Sequence, residues 1–456
     1  MSAICDVSQP VTMGIFSRRN IQRMIDENSS FMTHCQLSDA VQRLNSNDFQ
    51  SLDTEWELAV LNAFSKVGRI QHEVNHGGAT NPDIFFTSKD GNSFVADITT
   101  VSDEGFEKQN PVEYLQIELQ ERIRKVLPTA GGFHLRIERL KTSRVDDSTQ
   151  VAIPNRGDFA KDIFNSDFRS FLGNIKLHPS LPHEFKIDTA TTKVCVSYTP
   201  GGSDIFSSNM PAYTKARKPT NNPVFNSLKS KHRQLSRSGY KGTRAVILCD
   251  AGSDMFQGGF KSPWQPEYHA EDIVRWYLGR NHSIDFVLIL RADWLKRKAF
   301  DPGPARYVSV TICGNRNYDG LPESIRNAIY DLMSHFPEPH NTATGARKSI
   351  RNRFDPKTFR ATSGGLRMTG NSISVSSNSI LALMAGHITH AEFMESIGNT
   401  VGKPAEIPRN VFASKIAAGL RIGKISVEER SGSDDDDITF EFVRDPGISD
   451  FRLPNE

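Results

Sequence analysis

The sequence predicts an α/β protein, a mixed sheet flanked by helices, with a small α+β extension at its C-terminal end. Three observations predict it. Short β-rich runs alternate with amphipathic stretches along most of the chain, the pattern of helices laid on the faces of a sheet. Two of those runs are joined by the turn Lys89-Asp90-Gly91-Asn92, so part of the sheet is antiparallel. At 456 residues the chain is also too long for one ordinary core.

Residues 1–50 read as an N-terminal extension of mixed helical patches. Asp53 or Thr54 is placed to cap a helix in which Trp56, Val60, Ala63, Phe64 and Val67 recur every three or four residues, and Gly68 stops it. Extended segments follow at 69–74, 83–87 and 93–101. Pro111 opens a second helix with Leu115, Leu119, Ile123 and Val126 on one face, ended by Pro128. Residues 133–140 alternate as a strand. The stretch 143–191 is less regular and reads as an insertion with a helix near 159–175.

Strands are expected again at 193–198, 244–250, 284–290 and 307–313, with helices near 222–236, 270–278 and 322–336. The main domain therefore covers 51–338. Residues 339–368 are basic and poor in apolar side chains, which reads as a linker. Residues 369–456 form the small extension. It holds a strand at 372–375, helices near 380–384 and 390–397, and a closing hairpin (424–428 and 438–443) around an acidic turn at 434–437.

Hydrophobic residues at 37% and charged residues at 24% exclude wholesale disorder. A net charge of +2 says little about partners, so the distribution of charge carries the information. No apolar run is long enough for a bilayer, and the first ten residues lack the pattern of a secretory signal. The five cysteines have no metal-ligand spacing. A cytoplasmic protein with reduced thiols and no membrane partner is expected.

Acidic residues supply the first functional signal. In the segment 93–101 side chains alternate, so Val95, Asp97 and Thr99 share one face, while Phe94, Ala96 and Ile98 share the face expected to be buried. A neighbouring antiparallel strand beginning at Asp83 would bring two carboxylates together. Hard carboxylate oxygens beside a main-chain carbonyl are what Mg²⁺ or Mn²⁺ requires. Bland readings exist for each residue. Asn81-Pro82-Asp83 is an ordinary turn opening, Asp97 could face solvent on an edge strand, and Glu57 could be a first-turn acid favoured by the helix dipole.

The run Glu57-Leu58-Ala59, Asn81-Pro82-Asp83-Ile84-Phe85-Phe86 and Phe94-Val95-Ala96-Asp97-Ile98-Thr99 resembles the PD-(D/E)xK restriction-endonuclease-like superfamily. The resemblance covers residues 54–140. It implies a restriction-endonuclease-like core and a metal held by Glu57, Asp83, Asp97 and the carbonyl of Ile98. The lysine position of the motif is occupied by Thr99, whose neutral hydroxyl cannot stabilise developing phosphorane charge as an ammonium does. Members of the superfamily sometimes supply that lysine from a following helix. The best donor is Lys231, because Leu228, Lys231, Gln234 and Leu235 share one helix face. A lysine and a glutamine between leucines need polar partners, which an acidic site provides. Lys231 and Gln234 join the catalytic set on this basis, with Lys229 the second choice and Lys108 and Lys125 weaker ones.

Between Asp204 and Asp250 no acidic residue occurs, whereas Lys215, Arg217, Lys218, Lys229, Arg233, Arg237 and Lys241 all do. Such a tract is the electrostatic footprint expected for a phosphate backbone, with Tyr213 and Tyr240 available to stack on bases. A second basic tract, from Arg347 to Arg367, reads equally as a solvated loop. The expectation is a Mg²⁺- or Mn²⁺-dependent endonuclease acting on DNA, in the manner of bacterial defence nucleases, as a homodimer or a partner subunit. The alternative is a nuclease fold that binds nucleic acid, or a partner protein, without cutting.

Overall fold

The computed structural model describes residues 14–46, 49–127, 131–140, 150–202, 206–209, 218–256, 268–294, 306–314, 321–351, 366–386, 389–390, 393, 411–429 and 434–444. From the N-terminal side these form α1 (Arg18–Asn28), α2 (His34–Asn45), α3 (Gln50–Val67), β1 (Arg69–His72), β2 (Ile84–Thr87) and β3 (Ser93–Val101). Next come α4 (Glu104–Gln109), α5 (Val112–Val126), β4 (Phe133–Ile137), α6 (Phe159–Asp162), α7 (Ser166–Leu177), β5 (His183–Asp188), β6 (Lys193–Tyr198) and β7 (Ser207–Asn209). Then follow α8 (Pro223–Ser236), β8 (Thr243–Asp250), α9 (Ala270–Leu278), β9 (Phe286–Trp294), β10 (Arg306–Gly314), α10 (Glu323–Leu332) and α11 (Ala343–Arg351). The last elements are β11 (Leu366–Thr369), β12 (Ser372–Ser376), α12 (Ser377–Met384), α13 (Val411–Ala417), β13 (Leu420–Glu429) and β14 (Asp436–Arg444).

The chain is α/β, with mixed sheets and flanking helices. It divides into two compact units. One comprises Met1–Thr100, Lys229–Gly252 and Leu278–Glu456, the other Val101–Leu228 and Ser253–Tyr277. The first unit holds a six-stranded sheet in the order β1-β2-β3-β8-β9-β10. Its β1-β2-β3 edge is an antiparallel meander, β8 and β9 run parallel, and β10 returns antiparallel to β9. The same unit carries a second, all-antiparallel sheet in the order β11-β12-β14-β13. The other unit holds a sheet in the order β5-β6-β4-β7, packed with α5, α6 and α7 around Leu119, Phe159, Phe168 and Val196.

Helix α3 lies against the six-stranded sheet because apolar residues surround most of it. Trp56, Val60 and Phe64 are fully buried, and Phe64 meets the rings of Phe86 and Phe94 edge to face. The Trp56 indole N–H donates to the carbonyl of Asp250 at 2.6 Å, which fixes the helix against the end of β8. A buried indole needs such a partner.

Several expectations need correction. Helix α3 begins at Gln50, so Asp53 sits in its first turn rather than at the cap. The hydroxyl of Thr100 on β3 donates to the Asp53 carboxylate. The region expected as a basic linker contains α11, whose Ala343, Ala346 and Ile350 are buried at helical spacing. Arg347 on that helix is buried too, its guanidinium 4.5 Å from the centre of the Phe49 ring. The acidic residues of the closing hairpin engage the start of α1. Asp434 accepts from Arg18 N and Arg19 N at the start of α1, and Asp436 receives both guanidinium nitrogens of Arg19. The helix expected at 390–397 and most of the second basic tract fall outside the described residues.

Candidate functional site

The site is built on the meander. The β2–β3 register sets Ile84 opposite Ala96, and one further step sets Asp83 opposite Asp97. Directly opposed residues in an antiparallel pair place their side chains on the same face. Asp83 N donates to Asp97 Oδ1 at 3.2 Å, and Ile98 N donates to Asp83 Oδ2 at 2.6 Å. The Asp97 carboxylate is thus tied to the main chain of Asp83, and the Asp83 carboxylate to that of Ile98.

The side-chain alternation expected for β3 is present, but both faces are buried. Val95 and Asp97 have no exposed surface, and neither do Phe94 and Ala96. Asp97 Oδ2 is buried and has no hydrogen-bond partner among the described residues. Loss of hydration, and next the nearby Asp83 charge, push the Asp97 carboxyl up to about 7, against the opposing pull of Lys231 and the Asp83 N–H.

Lys231 reaches this pair from α8. Its Nζ lies 3.4 Å from Asp83 Oδ2 and 3.1 Å from Gln234 Oε1. Leu228 and Leu235 on the same face are fully buried, as the helical spacing requires. The end of α8 is held by the loop that leads into β2. Ala79 N donates to the Arg237 carbonyl at 2.8 Å, and the Thr80 hydroxyl donates to the Gln234 carbonyl at 2.6 Å. Gly78 lies so close that a Cβ there would stand 2.1 Å from the Arg237 carbonyl oxygen. Gly239, at a φ of +78°, faces the same loop, and its Cβ would meet Gly78 N at 2.8 Å. Sequence reading missed these two glycines. Their pairing brings together segments far apart in the chain, and no local motif marks it.

Glu57 takes a different place from the one expected. Its carboxylate pairs with Arg43 Nη1 at 2.8 Å and stands 3.9 Å from His72 Nε2. The other ring nitrogen of His72, Nδ1, is 2.7 Å from the Asp83 carbonyl oxygen. Glu57 therefore approaches the acidic pair through an imidazole. Among the described residues no group of three or more His, Cys, Asp or Glu is arranged to hold a metal ion.

Two carboxylates nevertheless fit one hard divalent cation. Mg²⁺ is commonly held by one or two carboxylates, with water and substrate oxygens completing its shell. An unpartnered buried carboxylate oxygen is the atom such a cation would satisfy.

The basic residues divide. Lys218, Lys229, Arg233, Arg237 and Lys241 are exposed, while Lys215, Arg217 and Tyr213 fall outside the described residues. Tyr240 is not free to stack on bases. Its ring packs against His76 and Phe85, and its hydroxyl is 3.0 Å from Ser93 Oγ. Lys108 and Lys125 are exposed and project from the other unit. No described helix is long and apolar enough to cross a membrane.

No family model matches the chain, and neither does any curated protein or solved structure.

Proposed function

We propose that this protein is a divalent-metal-dependent endonuclease with a restriction-endonuclease-like core, hydrolysing phosphodiester bonds with DNA as its substrate. The observation that carries the reading is the buried Oδ2 of Asp97, without a partner among the described residues, beside Asp83, with Lys231 Nζ 3.4 Å from the Asp83 carboxylate. A structural role for Asp97 would leave that oxygen a costly orphan. Support also comes from the element order: a helix, an antiparallel meander bearing both acids, and a later helix bearing the lysine.

In this reading Asp83, Asp97 and the Ile98 carbonyl hold Mg²⁺ or Mn²⁺, which when bound lowers the pKa of a water and offsets charge on the attacked phosphate. Lys231 fills the role vacated at Thr99 and stabilises the charge that develops on the phosphate oxygens. Gln234 holds the Lys231 ammonium through its carbonyl oxygen. Glu57 acts as a positioning residue, orienting His72 against the Asp83 main chain. Lys218, Lys229, Arg233, Arg237 and Lys241 supply charge for the nucleic-acid backbone, as do Lys215 and Arg217 by sequence.

The second reading is a nuclease fold that binds nucleic acid without cutting it, favoured by Thr99 at the motif lysine. One assay separates them: cleavage of DNA by the full chain with Mg²⁺ or Mn²⁺, compared with Asp83→Ala and Asp97→Asn. Metal-dependent cleavage lost in both variants supports the enzyme. Salt-dependent DNA binding with no cleavage under either metal supports the second reading.

A further inference from the structure

The C-terminal sheet ends on an open strand. β13 is ten residues long and, among the described residues, stands at the edge of its sheet, paired on one side only, with β14. Its register sets Ile422 opposite Phe442, Ile425 opposite Phe440 and Val427 opposite Ile438. Opposed residues share a face, so these three aliphatic side chains lie on the same face of the sheet as the small core formed by Ile373, Val375 and Phe442. That core stops short of the edge. Ile422 is 44% exposed, Ile425 57% and Val427 65%.

Long, exposed edge strands bearing apolar side chains are templates for pairing with another chain, and most proteins blunt them. A lone edge lysine would serve that end. Here the opposite face of the strand carries Lys424, Ser426 and Glu428, a cation and an anion placed symmetrically about a serine. Among the described residues, Lys424 and Glu428 have only long, exposed ion-pair contacts, 3.5 Å to Glu441 and 3.6 Å to Arg367. Contacts of that kind hold a side chain weakly.

We propose that β13 is a self-association strand, pairing antiparallel with the β13 of a second copy of this chain about a two-fold axis at Ser426. In that register Lys424 of each copy faces Glu428 of the other, and Ile425 faces Val427. The apolar face of one sheet then runs into that of its partner. Moving the axis by one residue breaks the match. Centred on Ile425, it sets Lys424 against Ser426; centred on Val427, it sets Ile425 against Glu429. An isologous contact needs a self-complementary patch, and the strand meets that requirement in both charge and apolarity. This pairing requires nothing of the acidic site.

The test is the oligomeric state of the full chain by sedimentation velocity across a range of concentrations, with thermal melting and far-ultraviolet circular dichroism as controls on folding. The wild-type chain is expected to form a dimer. Lys424→Glu places Glu against Glu twice across the axis, and Glu428→Lys places Lys against Lys twice. Each should weaken dimerisation by at least about tenfold. Mixing the two variants should restore a dimer, because every cross-axis pair is then of opposite sign. Val427→Lys should give a monomer. If Val427→Lys fails to fold, the mixing experiment still decides. A wild-type chain that stays monomeric at every concentration overturns the proposal. So does a dimer indifferent to Lys424→Glu and Glu428→Lys, or a mixture that does not re-associate.

Discussion

Two buried carboxylates in the same unit, Glu55 and Asp97, meet the cost of burial in different ways. Both are raised to about 7, and in both loss of hydration is the largest cause. Glu55 Oε2 accepts from Ile15 N at 2.7 Å and from Phe16 N at 3.1 Å, so the carboxylate organises the chain entering α1. Asp97 receives one main-chain donor on Oδ1, while Oδ2 has no partner among the described residues beside a second carboxylate and a lysine. Burial and a raised pKa are common to the two and so do not mark a functional acid. The orphaned oxygen and the charged neighbours set Asp97 apart from Glu55.

The sharpest way to break that distinction is Lys231→Ala. The variant should fold and keep its metal affinity, while the cleavage rate falls by about two orders of magnitude or more, the usual loss on removing one charge-stabilising donor. Equal losses in Lys229→Ala would make α8 a general phosphate-binding surface instead. A smaller effect is expected from Gly78→Ala, which displaces the end of α8 through the Arg237 carbonyl. Cleavage should fall about tenfold, in line with the sensitivity of catalysis to small misplacements. An unchanged rate would show that the loop does not position Lys231.

The pH prediction tests the burial of Glu55 by stability alone. The folded-state pKa of Glu55 lies above its ordinary value of 4.5, so between about 4.5 and 7 the native state binds more protons than the unfolded chain. Its contribution is therefore fully present at low pH and is lost as pH rises toward 7. Glu55→Gln should flatten that part of the unfolding free-energy profile, a change on the order of 3 kcal/mol across the window. Urea titrations at pH 5 and pH 8 check it, and a slope unchanged from wild type contradicts the burial account. The smallest effect expected is that of Lys229→Ala. Its exposed side chain should change cleavage only a few-fold while slightly reducing the salt dependence of DNA binding.

The parts of the site that follow from local rules were legible in the sequence. A hairpin turn at Lys89-Asp90-Gly91-Asn92 sets the register that opposes Asp83 and Asp97, and helical spacing alone groups Lys231 and Gln234 with Leu228 and Leu235. What escaped depends on distant chain. Arg43, on another helix, takes one oxygen of Glu57, and His72 then stands between Glu57 and Asp83. The second face of β3 is buried, which alternation within one strand does not reveal. At the level of the fold, α11 was hidden by its charge, because Arg347 lies on the Phe49 ring rather than in water. The contacts of the acidic turn escaped as well, because its partners at Arg18 and Arg19 lie more than four hundred residues away.

The central claim is that Asp97 and Asp83 hold a divalent cation and Glu55 does not. Calorimetric titration of the full chain with Mn²⁺, in the absence of nucleic acid, tests it most directly. The account predicts one binding event in the wild type, its loss in both Asp97→Asn and Asp83→Ala, and its retention in Glu55→Gln and Lys231→Ala. No binding to the wild type, or equal binding to Asp97→Asn and the wild type, would contradict it.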